Sequence, residues 1–230
     1  MKNLIPVVMT LCIFAPVFGQ ISVNPAATES GSITVQDIDG NLYNTIKTGQ
    51  QIWMDRNLET TRYSDGSPIP NISGDNEWKC LNTGAYCFFN NDPATYRNTY
   101  GALYNWYTVV DKRNLCPEGW RIPTDTDWKV LETYLGGSKG SGGKLKEAGF
   151  AHWINPNTGG TNFSGFSALP GGIRYFSGPF PYLGGYGYWW SSTESLNNLA
   201  ITLTLSNNNE NMNRNTSDKG NGYSVRCLKD

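Results

Sequence analysis

The four cysteines and the one histidine downstream of the N-terminal segment are the residues whose chemistry is easiest to specify. Cys80, Cys87, Cys116 and Cys227 are even in number, and in an exported chain this predicts two disulfides. Three pairings are possible. We favour Cys80 with Cys87, which closes a short loop, and Cys116 with Cys227, which ties the chain end to its middle. Zinc is the alternative, but the Cys80 to Cys87 spacing is not that of a zinc knuckle and His152 has no second histidine.

His152 is also the only histidine that could serve a Ser-His-Asp or Cys-His arrangement. Its setting, Gly-Phe-Ala-His-Trp, is typical of a packed or surface ring. Asp125 and Asp127 are explained by helix capping and Glu132 by a solvated helix face, although a glycosidase pair assembled in space stays open. No phosphate or dinucleotide motif follows a predicted strand. We therefore predict no catalytic residue, no cofactor and no enzyme activity.

Aromatic residues in a glycine-rich run are the candidate ligand-binding residues. Tyr175, Tyr182, Tyr186 and Tyr188 lie in or beside residues 171–187, where glycine lets the backbone turn freely. Sugar rings stack on such aromatic faces, and protein partners also anchor on them. The alternative is that the rings fill the core. We predict that at least two of Tyr182, Tyr186 and Tyr188 are exposed on one face, whereas the neighbouring pair of tryptophans at 189 and 190 is buried in a strand.

The N-terminus and the charge balance indicate an exported protein. Lys2, an apolar run over residues 4–18 and the small residue Gly19 predict a signal peptide over residues 1–19, followed by a flexible leader over residues 20–32. No other apolar run is long enough for a membrane span, so none is expected in the mature chain. The net charge is −1 and the basic residues are scattered, which argues against nucleic acid as a partner.

Short strands and turns dominate the pattern from residue 33 onward. Residues 33–38 and 42–46 alternate around Asp39-Gly40-Asn41, which predicts a hairpin. A calcium loop over Asp37, Asp39 and Asn41 is the alternative, but the glycine and the final carboxylate that an EF-hand needs are out of place. Further strands are predicted at residues 51–54, 188–192, 199–205 and 223–228.

Two helices are predicted in the middle of the chain. Residues 100–112 place Leu103, Trp106, Tyr107 and Val110 at helical spacing. The second helix follows Thr124 as N-cap, with Asp127 completing a capping box, a buried face of Trp128, Leu131 and Leu135, and Gly136-Gly137 at its end. The predicted fold class is α+β, with two helices, short antiparallel strands and long glycine-rich loops in one domain over residues 33–230.

Eight ordered motifs carry a family resemblance. They occupy residues 39–43, 49–58, 85–87, 100–106, 116–124, 165–172, 189–193 and 224–227. Together they closely resemble the Fibrobacter succinogenes major paralogous domain, a family of exported bacterial modules, and the resemblance implies a C-type-lectin-like fold without an established activity. Residues 121–128 are also similar to a signature of the formylglycine-generating enzyme family, which uses a pair of reactive cysteines near its C-terminus. Cys227 stands alone there, so this likeness supports the fold and not the chemistry.

These observations favour a non-catalytic recognition module that binds glycan or extracellular protein. It would be secreted or held at the surface of a bacterial cell. The alternative is a structural or adhesive subunit of a surface assembly, in which the aromatic loops make subunit contacts. A cysteine-dependent oxidase or a hydrolase is the class with the least support.

Overall fold

The computed structural model describes residue 1 and residues 34–230, so the predicted signal peptide and leader lie outside the described residues. The part from residue 34 onward is an α+β domain with antiparallel sheets and five helices. The prediction of only two helices is therefore wrong. No helix in the described part is long and apolar enough to cross a membrane.

The largest sheet joins the beginning of the domain to its end. Its five strands are arranged β1-β2-β3-β10-β6, so the final strand lies between an N-terminal hairpin and a strand from the middle of the chain. The predicted hairpin is confirmed by the pairing of β1 with β2. The strands are β1 (Thr34–Gln36), β2 (Leu42–Thr48), β3 (Gln51–Met54), β6 (Trp120–Arg121) and β10 (Leu228–Lys229).

The hairpin turn uses its carboxylates to hold the backbone. Asp37 accepts hydrogen bonds from the backbone N–H of Asp39 and Asn41, at 3.0 and 2.9 Å, and from the hydroxyl of Tyr43 at 2.7 Å. Asp39 in turn accepts from Thr61. The residues that resemble the start of a calcium loop thus have a structural role as turn formers.

A three-stranded antiparallel sheet forms the second half of the domain. Its order is β7-β8-β9, with β7 at Tyr186–Glu194, β8 at Leu199–Ser206 and β9 at Asn213–Asp218. β7 and β8 contain the predicted strands. The polar strand β9 was not predicted, because Asn-Arg-Asn-Thr-Ser-Asp lacks the apolar alternation that marks a strand with one buried face. The strand predicted over residues 223–228 is mostly wrong, since only Leu228 of that segment lies in β10.

The helix predicted over residues 100–112 is also wrong. Helix α2 (Pro93–Tyr100) ends before Gly101, whose φ of 74° is left-handed and where an added Cβ would lie 2.6 Å from the carbonyl oxygen of Leu58. The chain then forms β5 (Leu103–Tyr104), which pairs with β4 (Tyr86–Cys87), and the four-residue helix α3 (Trp106–Val109). A strand followed by one helical turn reproduced the apolar spacing by coincidence.

The second predicted helix is confirmed as α4 (Asp125–Tyr134). Thr124 caps it, and both hydrogen bonds of the capping box to Asp127 are present. Trp128 and Leu131 are buried along its inner face, and Leu135 is buried where the helix ends. The two further helices are α1 (Asp75–Lys79) and the kinked α5 (Ser138–Leu145).

Aromatic rings build the core, as the composition predicted. All eight tryptophans are buried, including the adjacent Trp189 and Trp190. Trp53 stacks on Trp128 with ring centroids 4.8 Å apart. The indole N–H of Trp189 donates to the side-chain oxygen of Asn57 at 2.8 Å, and the same oxygen accepts from the buried guanidinium of Arg226 at 2.9 Å. Buried polar groups of the family motifs therefore hold distant segments together.

Of the two predicted disulfides, the structure contains Cys116–Cys227. The Cys80–Cys87 disulfide is a prediction that the structure does not bear out, because both residues are free thiols. Cys80 is exposed at the C-terminal end of α1, whereas Cys87 points from β4 into a cluster with Trp78, Phe89 and Leu103. Sequence spacing does not reveal that the two side chains belong to different environments.

The two free thiols should differ in reactivity. Burial raises the pKa of Cys87 to about 12, so its thiolate is scarce at neutral pH and its sulfur is enclosed. We expect iodoacetamide to modify Cys80 in the native protein. Cys87 should be modified only after the protein is unfolded. Mass mapping of the labelled peptides is the measurement. If neither cysteine is labelled in unfolded, unreduced protein, the two are joined and this assignment fails.

Candidate functional site

The four candidate tyrosines come together on one part of the surface. Tyr186 and Tyr188 are alternate residues of β7 and share one face of the three-stranded sheet. Tyr175 and Tyr182 lie on the preceding loop, which is tied to β7 by the bond from the Gly172 N–H to the Tyr186 carbonyl, at 3.0 Å. We call Tyr175, Tyr182, Tyr186 and Tyr188 the tyrosine surface.

Tyr182 is the centre of the tyrosine surface. Its ring centroid lies 6.1 Å from that of Tyr175, 5.1 Å from that of Tyr186 and 6.5 Å from that of Tyr188. The Tyr175 and Tyr182 hydroxyls are 3.1 Å apart. Four aromatic side chains from a loop and a strand thus lie together at the surface. Loops on a rigid scaffold commonly carry binding residues, so this region is the first candidate for a binding surface.

Exposure of the rings is lower than predicted. Tyr182 is 45% exposed, whereas Tyr186 and Tyr188 are each half-buried. The prediction that at least two of these three rings are exposed is therefore not met. The reason is stacking. Tyr188 lies between Tyr186, at 5.9 Å and 18°, and Tyr223, at 5.0 Å and 14°. Both faces of the Tyr188 ring are therefore covered by other rings.

Only Tyr182 combines high exposure with tilted neighbours. Its ring makes angles of 57° with Tyr186, 40° with Tyr188 and 78° with Tyr175, so the neighbouring rings approach it without stacking parallel to it. An incoming ligand therefore finds an aromatic face at Tyr182, and edges at Tyr186 and Tyr188. This distinction cannot be made from the sequence.

The backbone at Tyr182 is strained. Its φ is 72°, a left-handed value that costs a residue with a Cβ about 1 kcal/mol or more. The surroundings impose it, since the Tyr182 carbonyl accepts from the N–H groups of both Gly185 and Tyr186 at 3.0 Å. A glycine would suit this position better for stability alone. The chain instead places a large exposed ring there.

The phenol hydroxyls supply hydrogen-bonding groups at the same place. The hydrogen bond with Tyr182 is the main cause that raises the pKa of Tyr175 to about 12, so this hydroxyl stays protonated. Burial, followed by the nearby phenols, raises the pKa of Tyr188 further. Within residues 34–230, the hydroxyls of Tyr186 and Tyr188 form no hydrogen bond. They are free to bond to a ligand.

Tyr223 is the residue of this region that the sequence did not reveal. It stacks under Tyr188 and contacts Trp190 at 4.5 Å, which connects the tyrosine surface to the core. Its hydroxyl bonds to Ser217 on β9. The sequence places Tyr223 far along the chain from Tyr188, and only its position in a terminal motif could have drawn attention to it.

His152, the only candidate base, lies elsewhere and pairs with a carboxylate. Its Nδ1 is 2.9 Å from both carboxylate oxygens of Glu147, and its ring meets the Tyr100 ring edge at 5.9 Å. The pair borders a polar cavity of about 320 Å³ that Ser167 and Arg226 also line. The described residues contain no group of three or more His, Cys, Asp or Glu side chains that could hold a metal ion.

Comparison with models of known protein families gives a match over most of the chain. The model of the Fibrobacter succinogenes major domain matches residues 46–229, which is most of the chain. The match begins within β2 and includes every later strand and helix. No curated protein matches, and no solved structure matches.

Proposed function

We propose that this chain, which belongs to the Fibrobacter succinogenes major domain family, is an exported, non-catalytic recognition module that binds glycan through the tyrosine surface. It would act at a bacterial cell surface or in a secreted assembly, and the signal peptide predicted over residues 1–19 supports export. The α+β architecture supports a C-type-lectin-like fold as part of the same proposal.

The observation that carries the proposal is the state of Tyr182. A bulky ring is kept exposed on a left-handed backbone that favours glycine, at the point where three other tyrosines converge. Aromatic faces bind the C–H faces of sugars, and phenol hydroxyls bond to sugar hydroxyls. Glycan is favoured over protein because only Tyr182 of the four rings is largely exposed, whereas protein partners cover large apolar patches.

Replacing Tyr182 separates binding from folding. In Tyr182→Gly the exposed ring is lost, while the relief of the positive φ offsets the lost ring contacts. We expect affinity for a glycan found on an array to fall by about tenfold or more, which corresponds to about 1.4 kcal/mol. The melting temperature should stay within about 2 °C of that of the wild type. Isothermal titration and calorimetry measure the two effects.

A matched control is Phe163→Ala. Phe163 is 74% exposed and lies outside the ring contacts of the tyrosine surface, so this variant should bind like the wild type. Equal loss of affinity in both variants would contradict the assignment of the surface. Association of the protein with itself at rising concentration, without glycan binding, would instead favour the structural or adhesive alternative.

A further inference from the structure

Apart from Glu194 at the end of β7, the described side chains that share a sheet face with the tyrosine surface carry no charge. Tyr188 is in register with Thr204 of β8, which pairs with Asn213 of β9, and Tyr186 is in register with Ser206. Opposite residues in an antiparallel sheet point to the same side. The uncharged side chains that accompany Tyr186 and Tyr188 on this side include four that are buried and two that reach solvent, namely Trp190, Thr202, Thr204 and Ser206, and Asn213 and Asn215.

The charged residues nearest in sequence are directed elsewhere. Arg174 precedes Tyr175, but its guanidinium is buried under the loop, where it bonds to Asp75 at 3.0 Å and lies 4.4 Å from the Trp78 ring. Arg214 of β9 points to the other side of the sheet and bonds to Asp125 at 3.0 Å. Neither cation reaches the tyrosine surface.

Within residues 34–230, one ion pair lies toward that side of β7, past an irregularity in the strand. Glu194 follows the register shift after Trp190 and is bound to the ammonium group of Lys219. Lys219 itself sits over the ring of Trp106, 4.6 Å from its centroid. Each charge is thus neutralised by its partner before it could act on a ligand at Tyr182.

Hydrogen-bonding groups remain at the surface. Asn215 is exposed, and its amide nitrogen lies 3.4 Å from the hydroxyl of Thr204, a long contact that a ligand hydroxyl could replace. The phenols of Tyr186 and Tyr188 add two donors that the described chain does not use. A ligand with many hydroxyls and no charge satisfies these groups without leaving a buried ion unpaired.

We propose that the ligand of the tyrosine surface is an uncharged glycan, with one sugar ring face on Tyr182 and its hydroxyls bonded to Tyr186 and Tyr188. This inference rests on the proposed function and narrows it. A carboxylate, sulfate or phosphate would find no cation on this sheet face, and the Glu194 carboxylate there is already paired with Lys219, so a charged ligand would lose hydration without gaining a partner on this face.

The test uses pairs of glycans with the same sugar backbone, in which a methyl or acetyl group removes the charge of one member. Oligogalacturonate is compared with its methyl ester, and chitosan oligosaccharide with its N-acetylated form, each titrated into the intact mature protein. We expect at least one neutral member to bind and its charged partner to bind about tenfold more weakly or worse. Affinity for the neutral member should change less than about twofold between about 50 and about 500 mM NaCl, because no ion pair is screened.

The variant Tyr182→Gly, which should keep its fold, locates the binding measured in these titrations. Loss of neutral-glycan binding in this variant supports the inference. Tighter binding of a charged member, weakened by salt, would overturn the inference while the glycan-binding function stands. If the wild type binds neither these probes nor any member of a broad neutral and charged array, the proposed function falls, and the inference falls with it.

Discussion

Replacing Lys146 with methionine should destabilise the domain by about 3 to 5 kcal/mol, because it removes a buried ammonium group that donates to three carbonyl oxygens. The Lys146 ammonium donates to the carbonyls of Thr158, Ser206 and Asn209 at 2.8, 2.9 and 3.0 Å. The side chain is fully buried, and the Trp153 ring lies 5.2 Å from the nitrogen. Burial lowers the pKa of Lys146 to about 8, so the group is still protonated at neutral pH and can donate to all three.

Denaturant unfolding of Lys146→Met beside Lys129→Met measures this effect. Lys129 is more than half exposed and bonds to Asp125 on the same helix, so its replacement should cost less than about 1 kcal/mol. If Lys146→Met lowers the free energy of unfolding by no more than Lys129→Met does, the three carbonyl oxygens must find other donors. The hydrogen bonds from the Lys146 ammonium would then not be what holds the turn between β8 and β9 in place.

Removing the disulfide should have an effect of similar size. Cys116 and Cys227 are 111 residues apart, and the loop-entropy model assigns a bridge of that span about 4 to 5 kcal/mol. The bridge also anchors the segment that leads into β10, since the Cys227 carbonyl accepts from the Met54 N–H at 3.1 Å. We expect the double variant Cys116→Ala, Cys227→Ala to unfold at a clearly lower denaturant concentration.

The exposed thiol provides the control. Cys80→Ala removes a cysteine that is not bonded to another, so its free energy of unfolding should stay within about 0.5 kcal/mol of the wild type. A double variant that is as stable as Cys80→Ala would contradict the role given to the Cys116–Cys227 bridge.

The sequence predicted correctly those helices and turns that depend on residues close together in the chain. Thr124 and Asp127 form the capping box that the sequence indicates, and Trp128 and Leu131 are buried as their spacing requires. The segment after Tyr100 behaved otherwise. Its apolar spacing favours a helix, but Gly101 lies against the backbone of Leu58, and this contact comes from a distant segment.

The candidate site could likewise be predicted only where it depends on residues close together in the chain. The glycine-rich run identified Tyr175, Tyr182, Tyr186 and Tyr188, and the structure brings these four rings together. Which ring keeps a free face depends on Tyr223, which stacks under Tyr188 from the far end of the chain. Pairing between distant residues decides exposure, and no local pattern in the sequence encodes it.

Removing the Tyr182 and Tyr186 rings together would not separate binding from folding. Tyr186 is half-buried and packs against both Tyr182 and Tyr188, so its truncation would remove packing as well as a binding group. Tyr182 alone offers a position where the ring can be removed and the backbone relieved in one step.

The most direct measurement is an NMR titration of protein with ¹³C-labelled tyrosine rings, using the neutral glycan that binds best. We predict that the ring signals of Tyr182 shift most and those of Tyr186 and Tyr188 shift less, in step with saturation of the glycan site. Saturable binding that leaves the Tyr182 signals unchanged would contradict glycan recognition by the tyrosine surface.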